Sequence, residues 1–561
     1  MTGTEQKLAT RPPAQVNALT EITVAAFLIL TCQAYLLWTS GLNWDEFHHY
    51  DILRRLDDGT LSRPLQTFFG HLFTWILYLP GDIVDHVRVA RVIMLVATLG
   101  TVLMIFGTAR YFTTDRAAGI VALSYLSAGF VTTQSVTFRA DALAAFLLMA
   151  SLYLLTAFRL GLLQVVLFGF LTGLSAMVTI KVVFYAPAFL GVAWMRFQGA
   201  TNKGRYVASL SAAVTTSLLV FFTLYIWHAQ FVTEPAVDAG LELLDSAWST
   251  VFSAGFFPKG AVFASQIILA PHVSVFVFLT VLLFPVLNAS RSVKIALAGL
   301  LLPLTVLLIY RNGYGYFYVF ILPPVLVAVA GTVEQFIMKR TGTTWLSLFL
   351  AVWGIFLALI FIDEKQEIRS DQKELVAIGL EIFRQPVAYF DDVGALGDYR
   401  RVLPFMATGW GLQRYHSQGI PLFSNAMAEE TIPLLITNSY VLEEEMSASS
   451  EAVHLLEEDA KALSESYIQH WGSFWVAGSH IPEGIENMSL MIRIPGVYTV
   501  ENAPLVIDDI LIKPGDSVDL QRGAHEIGGP RDQKATLRWG TGLYVPETPP
   551  ITWRFVLNSS P

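Results

Sequence analysis

Over its first two thirds the chain alternates long apolar runs with short polar breaks. Apolar runs fall near 20–40, 88–110, 117–135, 141–158, 162–179, 182–197, 206–229, 267–288, 293–310, 315–334 and 343–362. A helix crossing a hydrocarbon core needs about 20 apolar residues, so the pattern predicts about eleven transmembrane helices. The runs 162–179 and 182–197 are short, and the turn between them is tight. Beyond residue 362 the pattern turns polar and mixed. Helical periodicity at 372–384 and 457–467 alternates with the short apolar runs 387–390 and 434–437, which predicts a small α/β unit over 363–485. From 486 to 561 the pattern is one of short strands (496–500, 505–507, 518–520, 535–539) separated by Pro-Gly and Asp-Asp turns, as in a β-sandwich. The expected fold is a polytopic α-helical membrane domain, 1–362, followed by a soluble α/β plus β-sandwich region.

Composition strengthens this reading. Of 561 residues, 54% are hydrophobic and 14% are charged, against about 25% charged in soluble proteins. The mean hydropathy is +0.53. A net charge of −9 with no basic run argues against a nucleic-acid partner. The single cysteine, Cys32, excludes intramolecular disulfides and cysteine metal clusters. The first apolar run is too long for a signal-peptide core and has no small-residue cleavage site after it, so it is expected to remain as a span.

Basic residues set the orientation. With the N-terminus inside, Lys7, Arg11, Arg110, Arg116, Arg159, Arg196, Lys203, Arg205, Arg291, Lys294, Lys339 and Arg340 all fall on the inner side. An odd number of spans then puts the C-terminal domain outside, periplasmic or extracellular, in a multi-pass protein of the inner (plasma) membrane. On that outer side the loop 41–87 is long. Its stretches 46–56 and 65–79 are amphipathic and are expected as helices along the membrane surface.

The candidate chemistry sits on the same side. Asp45 and Glu46 lie among aromatics directly after the first span, in Trp44-Asp45-Glu46-Phe47-His48-His49-Tyr50-Asp51. A carboxylate at a partly desolvated site can serve as a general base; the plainer alternative is a solvated helix start with Asp45 as N-cap. Arg139 and Asp141 stand at the mouth of the third and fourth spans, as an interfacial ion pair or as ligand contacts. Arg63, Lys181, Lys259 and Arg311 are isolated cations near span ends, and Tyr316 lies in the tyrosine-rich run after Arg311. Such cations snorkel to headgroups or mark function; several on one face suit a phosphate. His48, His49, His71 and His86 have no metal-site spacing, and neither a phosphate-binding glycine loop nor a nucleophile elbow appears.

These motifs, in this order and on one side, resemble the GT-C superfamily of membrane glycosyltransferases, which includes the protein O-mannosyltransferases and the bacterial aminoarabinose transferases that modify lipid A. The resemblance covers roughly residues 20–160. It rests on Asp45-Glu46, the surface stretches, Arg63-Pro64, the run Val87-Arg88-Val89-Ala90-Arg91 and Arg139-Ala140-Asp141, with Arg311, its tyrosines and Pro323-Pro324 later. The aminoarabinose enzymes carry Lys-Pro-Pro where this chain has Arg63-Pro64-Leu65.

The resemblance implies a sugar donor carried on polyprenyl phosphate, inverting transfer at the outer face, and Asp45 as the base that deprotonates the acceptor hydroxyl, with Glu46 in support. Arg63, Lys181 and Arg311 would stabilise the phosphate leaving group, with Arg139, Asp141, Lys259 and Tyr316 around the substrate. The acceptor would be a lipid, a glycan or a protein. No cofactor is implied, and a divalent metal remains an option. The rival readings are a transporter or flippase of a polar lipid, which predicts inverted repeats and mid-span charges, and a membrane-anchored glycan-binding protein.

Overall fold

The structure is a computed structural model that describes residues 13–62, 66–233, 255–405, 407–447, 454–529, 533–551 and 553. Two compact units divide the chain. The first comprises Met1–Ser40, Ile52–Leu79 and Val87–Glu364; the second comprises Gly41–Asp51, Pro80–His86 and Lys365–Pro561.

The first unit is helical. Among the described residues eight helices are long and apolar enough to cross a bilayer, from Leu19–Thr39 to Thr343–Ile362. All eleven apolar runs form helix, but three of them are not simple spans. The run at 117–135 is broken into Asp115–Leu126 and Gly129–Gln134. At the break the buried His272 donates from Nε2 to the Ser124 carbonyl at 2.9 Å. The run at 162–179 gives the shorter helix Leu162–Val178. The run at 267–288 is the pair Gly260–Leu269 and Pro271–Val286, bent by 106°. Pro271 causes this bend: it has no N–H to give and drives Ala270 out of helical geometry, to φ −142 and ψ 60.

The helix Gly315–Thr332 forms the centre of this unit and is buried along nearly all its length. It carries Pro323 and Pro324, which leave the carbonyls of Val319 and Phe320 without their helical N–H partners. Two buried tyrosines supply the missing donors. Tyr125 Oη donates to the Val319 carbonyl at 2.9 Å and Tyr185 Oη to the Phe320 carbonyl at 2.6 Å. In a medium without water every such carbonyl must be satisfied from within the protein. Close helix contacts use small residues: a Cβ on Gly299 would lie 2.5 Å from the Pro187 carbonyl oxygen, so only glycine permits that approach. Arg91 is buried and donates to the carbonyls of Leu37 and Ser40, at the end of the first span.

In the 41–87 loop, the first amphipathic stretch is the helix Trp44–Asp57. The second is two short 3₁₀ turns, Phe68–Leu72 and Thr74–Tyr78, in place of the expected surface helix.

Among its described residues the second unit contains twelve strands: β1 (Ala388–Phe390), β2 (Arg400–Arg401), β3 (Leu434–Ile436), β4 (Tyr467–Trp471), β5 (Phe474–Ile481), β6 (Met488–Ile492), β7 (Gly496–Glu501), β8 (Leu505–Ile507), β9 (Ile510–Ile512), β10 (Ser517–Leu520), β11 (Gly523–Gly528) and β12 (Ala535–Trp539). One sheet runs β10-β7-β12-β5-β3-β1-β2, with β4 also paired to β5; a second runs β6-β11-β8-β9. The strands β1, β2 and β3 are parallel. Leu434, Leu435 and Ile436 are all buried, as parallel strands covered on both faces require. β5 then joins antiparallel to β3 and to β12. The α/β part and the sandwich therefore share one continuous sheet. Phe423, Met427 and Leu463 pack with Phe390 and Leu435 over the first part, while Ile492, Val500, Ile507, Ile527 and Leu537 fill the sandwich.

Candidate active site

Within the first unit the structure gathers four of the residues singled out above. Arg139 precedes the helix Ala140–Ala157, which carries Asp141 in its first turn. Lys181 lies in the short 3₁₀ segment Ile180–Tyr185, whose preceding residue, Thr179, caps the Lys181 N–H. Asp141 is buried and takes both cations, Lys181 Nζ at 2.5 Å and Arg139 Nε at 3.4 Å. Tyr316, at the start of the central helix, lies beneath them. The Arg139 guanidinium carbon is 3.6 Å from the ring centroid and Lys181 Nζ is 4.9 Å from it. Lys181 and Arg139 both meet the Asp141 carboxylate here, and both also lie over the face of an aromatic ring.

The same unit holds an apolar cavity of about 510 Å³. Phe130, Phe278, Leu304, Tyr318 and Leu322 line it, together with Gln266. Gln266 Nε2 comes within 3.7 Å of where a Cβ on Gly315 would be, one residue before Tyr316. Lys259 Nζ, on the same side of the unit, bonds the Tyr314 hydroxyl at 2.5 Å, and the Tyr314 and Tyr316 rings are 5.9 Å apart.

In the second unit Asp45 and Glu46 occupy the first turn of the helix Trp44–Asp57. The cap of this helix is Asn43, not Asp45. Asn43 Oδ1 accepts the Glu46 N–H at 3.1 Å, and Glu46 Oε2 accepts the Asn43 N–H at 3.0 Å. This reciprocal pair is a capping box. Glu46 is fully buried and Asp45 half-buried. The adjacent acids therefore stand in different environments: Glu46 is engaged in closing the helix end, and Asp45 is one step round the helix.

No protein-family model matches the sequence, and no curated protein matches it. Solved structures do. ArnT from Cupriavidus metallidurans, bound to undecaprenyl phosphate, aligns over 78% of this chain and 96% of its own length, with a TM-score of 0.51 and 12% identity. The oligosaccharyltransferase of Archaeoglobus fulgidus in complex with zinc and sulfate aligns over 95% of this chain and 98% of its own, at 0.52 and 10%. AglB from Archaeoglobus fulgidus, with an inhibitory peptide and a dolichol-phosphate, aligns over 82% and 73%, at 0.50 and 13%. The fold is like that of ArnT and of the archaeal oligosaccharyltransferase.

Within this fold the remaining candidates separate. Arg311 is half-buried and makes no hydrogen bond or ion pair with any described residue. Arg63, Pro64 and Leu65 lie outside the described residues. A histidine pair stands beside Thr67. His71 Nε2 is 2.9 Å from His228 Nδ1, and His228 Nε2 is 3.0 Å from Thr67 Oγ1. Burial lowers the His71 pKa from its ordinary value, which favours the neutral ring in this contact. Local sequence carries no sign of the pair, because its members are 157 residues apart. Among the described residues no three His, Cys, Asp or Glu side chains come together as metal ligands.

Proposed function

We propose that this protein is a glycosyltransferase that moves a sugar from a polyprenyl-phosphate donor to a lipid, glycan or protein hydroxyl at the outer face of the membrane. The observation that carries the reading is the Asp141–Lys181–Arg139–Tyr316 cluster, in the same unit as an apolar cavity of about 510 Å³ that Tyr318, of the same helix as Tyr316, lines. A polyprenyl phosphate has the two matching parts, an anionic head and a hydrocarbon tail. The solved structures of like fold support the same donor class, since ArnT is described with undecaprenyl phosphate and AglB with dolichol-phosphate.

In this reading the cations meet the phosphate as its bond to the sugar breaks and negative charge develops on the leaving oxygen. Arg311 is available for the same charge. Asp45 takes the proton of the acceptor hydroxyl as that oxygen attacks the anomeric carbon from the opposite face, so the configuration inverts. The second unit lies outside the cytoplasmic face, and protease added to intact spheroplasts should remove it; its protection would overturn the orientation. The donor class is tested by mass spectrometry of lipids that co-purify with the protein. A polyprenyl phosphate or its sugar ester is the expected finding, and a detergent-extracted protein that neither carries nor consumes either one would overturn the assignment.

A further inference from the structure

The second unit contains a buried ionic knot. Arg401, on β2, is 1% exposed at its side chain. Its Nη1 donates to Asp51 Oδ2 at 3.0 Å, and its Nε lies 2.8 Å from Asp391 Oδ1. Nη2 donates to the carbonyls of Asp392 at 2.7 Å and Phe405 at 2.8 Å. Asp391 in turn accepts the N–H groups of Gly394 and Ala395 and the Asn438 side-chain amide. Asp391 and Asn438 follow β1 and β3 at their carboxyl ends. In doubly wound sheets the crevice beyond those ends is where ligands bind. Here an internal carboxylate, Asp51, fills it.

Asp51 belongs to the helix that carries Asp45. The same helix is held at three further points within this unit. Tyr50 Oη bonds His86 Nδ1 at 2.7 Å, Phe47 packs edge-on against Trp553, and the Gln372 amide clasps both the N–H and the carbonyl of Leu42 at 2.7 and 2.6 Å. Close backbone approach reinforces the seat: a Cβ on Gly394, at φ +87, would lie 2.9 Å from Asp51 Cβ. Phe47, Tyr50 and Asp51 share one helix face by their i, i+3, i+4 spacing. At about 100° per residue, Asp45 lies on the opposite face.

We propose that Arg401 is a positioning residue for sugar transfer: by gripping Asp51 it fixes the rotation and axial position of the helix that presents Asp45. The C-terminal unit is then part of the catalytic apparatus, and the substrate does not touch Arg401. This rests on Asp45 being the base. A planar guanidinium set between two carboxylates and donating to backbone carbonyls defines a single orientation, which a point charge does not. A base displaced by about 1 Å costs up to roughly a hundredfold in rate.

The test uses the full-length protein and a polyprenyl-phosphate sugar. Asp51→Asn keeps the size and one hydrogen bond to Arg401 while Asp391 still pairs the guanidinium, so the variant should fold. Its kcat should fall about ten- to a hundredfold, with donor KM within about twofold of wild type, and amide exchange over residues 44–51 should quicken. Arg401→Met should behave likewise, and Arg401→Lys should recover only part of the loss. Arg400→Gln, on the exposed neighbour that pairs with Glu430, should match wild type. Normal kcat in Asp51→Asn beside an inactive Asp45→Asn would overturn the positioning role alone. Normal transfer by Asp45→Asn would overturn the base assignment and the positioning role with it.

Discussion

Among the described residues each unit holds a buried ionic cluster, and the two are built to opposite plans. In the membrane unit two cations meet one carboxylate, and their second support is the soft face of Tyr316. In the C-terminal unit one guanidinium meets two carboxylates and also donates to backbone carbonyls fixed by the chain itself. Burying a charge costs several kcal/mol unless it is paired and hydrogen-bonded. The second cluster meets that requirement internally and suits a permanent structural grip. Under the proposed function the first, where Lys181 and Arg139 both reach Asp141, is a receptor for an anion and the second a lock.

The most damaging test of the contrast is at the carboxylate that the lock serves. Asp45→Asn keeps size and most hydrogen bonding while removing the base. Transfer should fall by about 10²–10⁴, with folding and donor binding retained. Glu46→Gln should behave differently, because Glu46 closes the capping box with Asn43. Its loss should appear as about 1 kcal/mol of stability more than as lost chemistry. Should Glu46→Gln lose as much turnover as Asp45→Asn at unchanged stability, the two acids would have to be treated as one catalytic pair.

A smaller effect separates receptor from lock within the membrane unit. Arg311 makes no hydrogen bond or ion pair with any described residue, so Arg311→Ala should leave thermal stability unchanged. Donor KM should rise about tenfold, the loss of one charge-assisted contact worth roughly 1.5–3 kcal/mol. Lys181→Ala should raise donor KM comparably and also destabilise the protein, since the buried Asp141 then loses its 2.5 Å contact with Lys181. Unchanged donor KM in both variants would reduce the cluster to an internal ion pair.

The legible part of this architecture is what local pattern encodes. All eleven apolar runs form helix, because burying apolar residues in lipid leaves no other backbone choice. The three that are not simple spans fail for tertiary or local backbone reasons, such as Pro271 bending one of them. Arg139, Asp141, Lys181 and Tyr316 each draw attention as polar residues near span ends. Their convergence is not visible in the sequence, because the Asp141–Lys181 contact spans 40 residues and Tyr316 arrives from the central helix. The box Asn43-x-x-Glu46 is a readable motif, overshadowed by the acid pair of which it takes half. Arg401 is the least legible residue. It sits beside Arg400 in a two-residue strand, one side chain at 1% exposure and the other at 54%, and nothing in the local sequence distinguishes them.

The finest test concerns the edge of the lock. Asp392 neighbours Asp391 and accepts the Ala407 N–H. Burial pushes its pKa up to about 6, against the lowering effect of that hydrogen bond and of Arg401. The folded state therefore holds this proton more tightly than the unfolded chain, whose carboxyl titrates near 4. Linkage then fixes the sign: as pH rises from about 4 to about 6, the folded state must give up a proton it prefers to keep, and stability falls through that window. Asp392→Asn cannot ionise, and its Oδ1 can still accept from Ala407. Melting curves of the full-length protein between pH 4 and 8 should show the variant gaining on wild type across that window and holding the advantage above it. The gain should be on the order of 1 kcal/mol per unit of pKa shift. Parallel curves for the two proteins would mean that Asp392 stays charged throughout, and that the lock tolerates a third carboxylate around one guanidinium.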